Sequence, residues 1–102
     1  MDVALRITRI PTGADAARKR LPFATIDSGD IVVTSTLPCE TPLNEHLVWF
    51  WGLLKHERRF LKSLVGQGAA IAIYARGAGG RIEVKPNGAE MLHLLGADLI
   101  IE

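Results

Sequence analysis

The amino-acid sequence predicts a single α+β domain in which a mainly antiparallel sheet is packed on one side by one long helix and a shorter C-terminal helix. Three observations predict it. Alternating or β-branched runs at 3–8 and 31–36 suit strands; an apolar stripe at helical spacing runs through 43–65; and a second short helical pattern at 91–95 lies among further β-like runs. With 102 residues the chain is long enough for one core and too short for two, so residues 1–102 are read as one domain.

Val3, Leu5 and Ile7 alternate with Ala4, Arg6 and Thr8, the period of a strand with one face on a core. Pro11-Thr12-Gly13 ends that strand, and residues 14–20 offer helix formers with little to bury, so a short helix or a loop is expected. Asp27-Ser28-Gly29-Asp30 marks a turn before the second strand. Thr41-Pro42 opens the long helix, the threonine hydroxyl serving as cap and the proline sitting where a missing N–H costs nothing. At roughly 100° per residue, Leu43, Leu47, Phe50, Leu54 and Leu61 fall on one line, flanked by Val48, Trp51, Leu64 and Val65. The stripe is interrupted at 55–59, where Glu57 and Arg58 would face the buried side, so the helix bends or splits there; Gly66 and Gly68 end it. Residues 69–75 are apolar at nearly every position, as expected of a central strand covered on both faces. The glycine-rich segment 76–81 then joins it in a hairpin to a strand at 82–85. Asn87 and Glu90 have capping-box spacing for the last helix, Gly96 ends it, and Leu99-Ile100-Ile101 forms a final strand.

Hydrophobic residues are 48% of the chain and charged residues 23%, a globular composition. Twelve Lys and Arg against eleven Asp and Glu leave a net charge of +1, so no global field draws the protein to nucleic acid or an anionic membrane. The longest apolar run, 47–54, falls well short of the roughly 20 residues a membrane helix needs. The N-terminus carries Asp2 and Arg6 in place of an apolar signal core, and Cys39 stands alone, so a cytoplasmic protein without disulfides is expected.

One stretch resembles a known family. Ser35-Thr36-Leu37-Pro38 leads into Pro42-Leu43-Asn44-Glu45-His46-Leu47-Val48-Trp49, followed by Leu61-Lys62-Ser63-Leu64, Gly68 and an apolar run, then Val84-Lys85-Pro86 and Leu94-Leu95-Gly96-Ala97-Asp98-Leu99. This pattern of hydrophobics, turns and caps is similar to the bacterial family labelled domain of unknown function 4279. It covers the C-terminal two thirds of the chain; the N-terminal third departs from the family, offering Ile7-Thr8-Arg9-Ile10-Pro11-Thr12 where the family carries a Leu-Gly element before its early proline. The resemblance implies a compact α+β fold in a bacterial protein and implies no activity.

No chemical signature stands out among the candidate site residues. His46, His56 and His93 lack the i,i+4 spacing or neighbouring ligands of a zinc site, so no metal and no cofactor are expected. Cys39, seven residues before His46 and near a helix start, makes a Cys-His nucleophile conceivable, but spacing offers no third orienting group. Arg76 and Arg81 flank a glycine-rich segment that fits neither nucleotide fingerprint, and with Arg58 and Arg59 they form a weak candidate for anion or nucleic-acid contact. Trp49 projects roughly 120° from the core stripe, with Leu53 and Phe60 on the same side. A helix apolar on nearly all sides is either deeply buried or covered by a partner, which makes Trp49, Leu53 and Phe60 a candidate homodimer interface unless the N-terminal segment covers them. The expected role is accordingly a non-catalytic protein-interaction or accessory module. Nucleic-acid or anion binding is the first alternative, and a small enzyme using Cys39 and His46 the second.

Overall fold

The computed structural model describes residues 1–77 and 79–102. Along the chain run β1 (Asp2–Thr8), α1 (Ala14–Arg18), β2 (Thr25–Asp27), β3 (Asp30–Thr34), α2 (Leu43–Leu54), a 3-10 turn (Lys55–Glu57), α3 (Arg58–Gly66), β4 (Ala70–Arg76), α4 (Pro86–Leu95) and β5 (Ala97–Ile101). The strands form one sheet in the order β2-β3-β1-β4-β5. Three of its four pairings are antiparallel; β5 returns parallel to β4 because α4 crosses over between them. The α+β class expected from the sequence is the class observed.

The alternation in β1 sets the layers. Val3, Leu5 and Ile7 are buried, and in register with them on the same face lie Val33 and Ile31 of β3 and Ala75, Ile73 and Ile71 of β4. Leu43, Leu47, Phe50 and Leu54 of α2, Leu61 and Leu64 of α3, and Met91 and Leu95 of α4 pack against that face in one core cluster. Each of the fully buried large side chains contributes roughly 2 kcal/mol by leaving water.

Several local expectations are corrected. β4 is an internal strand, but its burial alternates and only the helix-facing side is covered; its outward residues Ala70 and Ala72 are small enough to stand half-exposed, which hid the alternation in a run of uniformly apolar letters. Residues 82–85 form no strand, and among the described residues no hairpin follows β4. The segment bonds to α2 at its two ends instead: the Arg81 carbonyl accepts the Leu43 N–H (2.8 Å) and the Lys85 N–H reaches Asn44 Oδ1 (2.8 Å). Ala78 of the glycine-rich segment lies outside the described residues. The α2 cap is Pro42 and receives no side-chain bond from Thr41, and α4 begins at Pro86, which puts Asn87 inside the helix and leaves the expected capping box unformed. β2 went unrecognised because three residues carry no period; Ser28 (φ 52°) and Gly29 (φ 84°) make the tight turn that pairs it with β3. The break in the long helix falls where the stripe fails, and the 3-10 turn carries Arg58 and Arg59 out to solvent.

Candidate functional site: an apolar groove with a basic end

Asn44 and Asn87 tie α2 to α4. Buried Asn44 accepts the Lys85 N–H and donates through Nδ2 to Asn87 Oδ1 (2.9 Å), which also takes the Gly88 N–H (2.9 Å). Gly88 is what lets the helices approach, because a Cβ there would sit 2.1 Å from Asn44 Oδ1 and 3.1 Å from Leu47 Cδ1.

Outside this contact the helices leave a groove. Val48 and Trp51 of α2 form one wall, and Asn87, Glu90 and Leu94 of α4 the other, over a floor of buried Met91. Leu94 is only half-buried while its neighbours Met91 and Leu95 are buried in the core, and it also borders two further depressions against α3, one lined by Arg58, Arg59 and Lys62 and the other by Lys62, Val65, His93 and Gly96. Val48 is 39% exposed, the most open apolar wall residue of the groove. Among the described residues Arg58, Arg59 and Lys62 make no ion pair, and the nearest acid in sequence, Glu57, is taken by Arg20 (2.9 Å). The result is an apolar seam whose α3 end holds three uncompensated cations.

The opposite surface, the uncovered face of the sheet, has the other sign. Arg6 bridges Asp27 (2.6 Å) and Asp30 (2.7 Å) across β1, β3 and β2, and Arg76 pairs with Glu102 (2.8 Å), so both cations are compensated while Asp2 and Asp98 stay exposed. The hydrogen bond to Asp27 raises the Arg6 pKa further, and in return Arg6 holds the Asp27 carboxyl below its ordinary value.

The candidate residues scatter over this framework. Trp49, Leu53 and Phe60 are half-buried against the core. Trp49 meets Phe50 edge to face at 5.1 Å, and the Arg20 guanidinium lies 4.9 Å over the Phe60 ring, so the segment after α1 covers part of this side. Arg58 and Arg59 stand at the groove, Arg76 on the open sheet face and Arg81 beside Glu83 (3.7 Å) ahead of α4; the four arginines do not converge. The Cys39 thiol is exposed and donates to Glu40 (3.4 Å), and the Glu40 carboxyl is held below its usual range by its own backbone N–H first and by this thiol second. His46 is not Cys39's partner. Its Nδ1 lies 2.7 Å from Ser35 Oγ, and its buried Nε2 has no hydrogen-bond partner among the described residues. Ser35 Oγ also accepts the Leu37 N–H (3.3 Å), so the hydroxyl joins the His46 ring to the segment that leads into α2. Also among the described residues, no group of three potential ligands is placed to hold a metal ion, and no helix is long and apolar enough to cross a membrane. Sequence reasoning passed over the groove because Val48 and Trp51 sat at the edges of the core stripe, and nothing local in 43–65 tells which flank α4 will cover.

Burial lowers the His46 pKa, the positive Met1 amino group adds to this, and the Thr41 carbonyl and Glu45 carboxylate oppose it. A folded-state pKa below the unfolded one means that full stability is present above about 6.5 and is lost as pH falls through that value toward the folded-state pKa. Urea unfolding between pH 8 and 5 is expected to show this loss in the wild type and not in His46→Leu; equal losses in both would remove His46 as the cause.

Compared with known proteins, the chain matches no family model, no curated protein and no solved structure.

Proposed function

We propose that this domain is a non-catalytic protein-interaction module whose α2/α4 groove takes an amphipathic helix, with acidic residues at one end, from another protein. The observation that carries this is the seam around Leu94, open to solvent and bordered at one end by the unpaired Arg58, Arg59 and Lys62. An apolar groove between two helices suits the face of a third, with anchors at i, i+3/i+4 and i+7, and exposed Val48 with half-buried Trp51 and Leu94 are such anchor contacts. The cations set the direction in which that helix lies and speed its encounter more than they add affinity. Nucleic acid is disfavoured as the occupant, because the cationic area is small, Glu90 stands on its rim, and the sheet face is anionic. A lone exposed thiol at Cys39 suits a reducing compartment such as the cytoplasm. The resemblance of residues 35–99 to an uncharacterised family adds no activity to this reading.

Selection of a displayed random 16-residue peptide library on the purified domain tests it. Enriched peptides are expected to combine helically spaced apolar residues with Asp or Glu at one end and to shift tryptophan fluorescence in the wild type but not in Trp51→Phe. Their affinity is expected to fall at least tenfold, about 1.4 kcal/mol, in Arg58→Glu/Arg59→Glu. Enrichment of peptides without acids, or binding indifferent to the charge reversal, would remove this reading; preferential binding of a single-stranded oligonucleotide in the same assay would replace it with the nucleic-acid alternative.

A further inference from the structure

The two edges of the sheet are built differently. β2 is a three-residue strand tied into the Arg6–Asp27–Asp30 network, a short and charged edge of the kind that resists pairing. β5 has five residues, Ala97-Asp98-Leu99-Ile100-Ile101, with no lysine, proline or bulge, and Ile100 and Ile101 are 37% and 49% exposed. The Glu102 N–H bonds the Ala75 carbonyl (2.8 Å). Since backbone groups of alternate residues point to opposite sides of a strand, those of Asp98 and Ile100 face β4, while those of Ala97, Leu99 and Ile101 face outward. Among the described residues nothing pairs with them.

We propose that β5 pairs antiparallel with β5 of a second copy of this chain, about a two-fold axis at Leu99, joining two five-stranded sheets into one. This register is self-complementary. Ala97, Leu99 and Ile101 all have their outward N–H and C=O groups opposite those of the second copy, which allows up to about six interchain hydrogen bonds. On the helix side small Ala97 faces large Ile101 and Leu99 faces Leu99; on the open side Asp98 faces Ile100, so no like charges stand opposite each other. A two-residue slip keeps at most about four of these hydrogen bonds and sets Asp98 opposite either Asp98 or Glu102 of the second copy, so the register with the most hydrogen bonds is also the one free of opposed charges. The partner is a second copy because the strand complements itself, and the surface is distinct from the α2/α4 groove and from Trp49, Leu53 and Phe60.

Sedimentation at about 100 µM, a concentration that populates interfaces of modest area, is expected to give twice the 11.1 kDa chain mass. Ile100→Asp sets a carboxylate opposite Asp98 of the second copy and is expected to weaken the dimer at least tenfold; Asp98→Lys/Ile100→Asp, which makes the opposed pair attractive, is expected to restore it. In the wild type, the Leu99 and Ile101 amides are expected to exchange hydrogen slowly in the dimer and rapidly on dilution, while the Ile100 amide, bonded to β4, stays protected at both concentrations. A monomer at 100 µM would overturn the proposal, as would a dimer whose Leu99 and Ile101 amides exchange freely. Loss of that second kind of dimer on Trp49→Ala would move the interface to the helical side. Neither result bears on peptide binding in the groove.

Discussion

Gly88→Ala is expected to destabilise the domain by about 2–4 kcal/mol in urea unfolding, although alanine in a helix interior is normally worth about 1 kcal/mol over glycine. The added methyl would sit 2.1 Å from Asn44 Oδ1, and Asn44 cannot swing aside without releasing the Lys85 N–H and Asn87 Oδ1. Overpacking costs about 1–3 kcal/mol and an unpaired buried group a similar amount, so the clash outweighs the gain in propensity. Asn44→Ala should itself be destabilising through the same lost bonds. The informative quantity is the double variant: with Asn44 truncated the new methyl has room, so the two losses are expected to fall short of additivity by at least about 1 kcal/mol. A neutral or stabilising Gly88→Ala would mean that α2 and α4 are farther apart than described, and the groove between them with it.

Gly80→Ala is expected to cost about 2–3 kcal/mol for a different reason. Gly80 has φ +75°, and a Cβ there would lie 2.4 Å from the Thr41 carbonyl oxygen and 3.3 Å from that of Cys39, backbone atoms that cannot rotate away. Relief requires residues 79–81 to lift off, breaking the bond from the Leu43 N–H to the Arg81 carbonyl that satisfies the first turn of α2. Gly77→Ala separates the two contributions: at φ +83° with nothing within 4 Å, it carries the conformational cost alone, about 1 kcal/mol. Equal melting temperatures for the two variants would show that the close approach to Thr41 contributes nothing.

What could be read in the sequence was whatever repeats along one element. The alternation of Val3, Leu5 and Ile7, the stripe from Leu43 through Leu61 and its failure at 55–59 each contain enough turns or pleats to show a period, and each element is found where it was expected. Residues 82–85 misled because Ile82 and Val84 have strand propensity, yet the chain has its hydrogen bonds to α2 to make first and Pro86 then commits it to a helix. Asn87 misled similarly: the side chain that spacing assigned to a capping box is engaged by Asn44, a residue far away in sequence. The groove was the least legible part. It exists only because α4 covers one flank of α2 and stops short of the other, and no pattern within either helix encodes that offset. His46 illustrates the same limit, since nothing near it in sequence distinguishes a buried, half-satisfied imidazole from a surface one.

The placement of β1 at the middle of the sheet also constrains the order of assembly. One side of β1 can zip to β3 as soon as residues 30–34 leave the ribosome, closing a three-stranded antiparallel unit in which β3 lies between β1 and β2. Its other side must wait for β4, where Asp2 finally meets Arg76, so a fully apolar strand face and an open row of peptide groups persist while both halves of the long helix are being made. Bringing those ends together is a long loop closure that is repaid only when β4 docks, which puts the rate-limiting search late and makes the three-stranded unit of β1, β2 and β3 the species most exposed to chaperones and to misassociation.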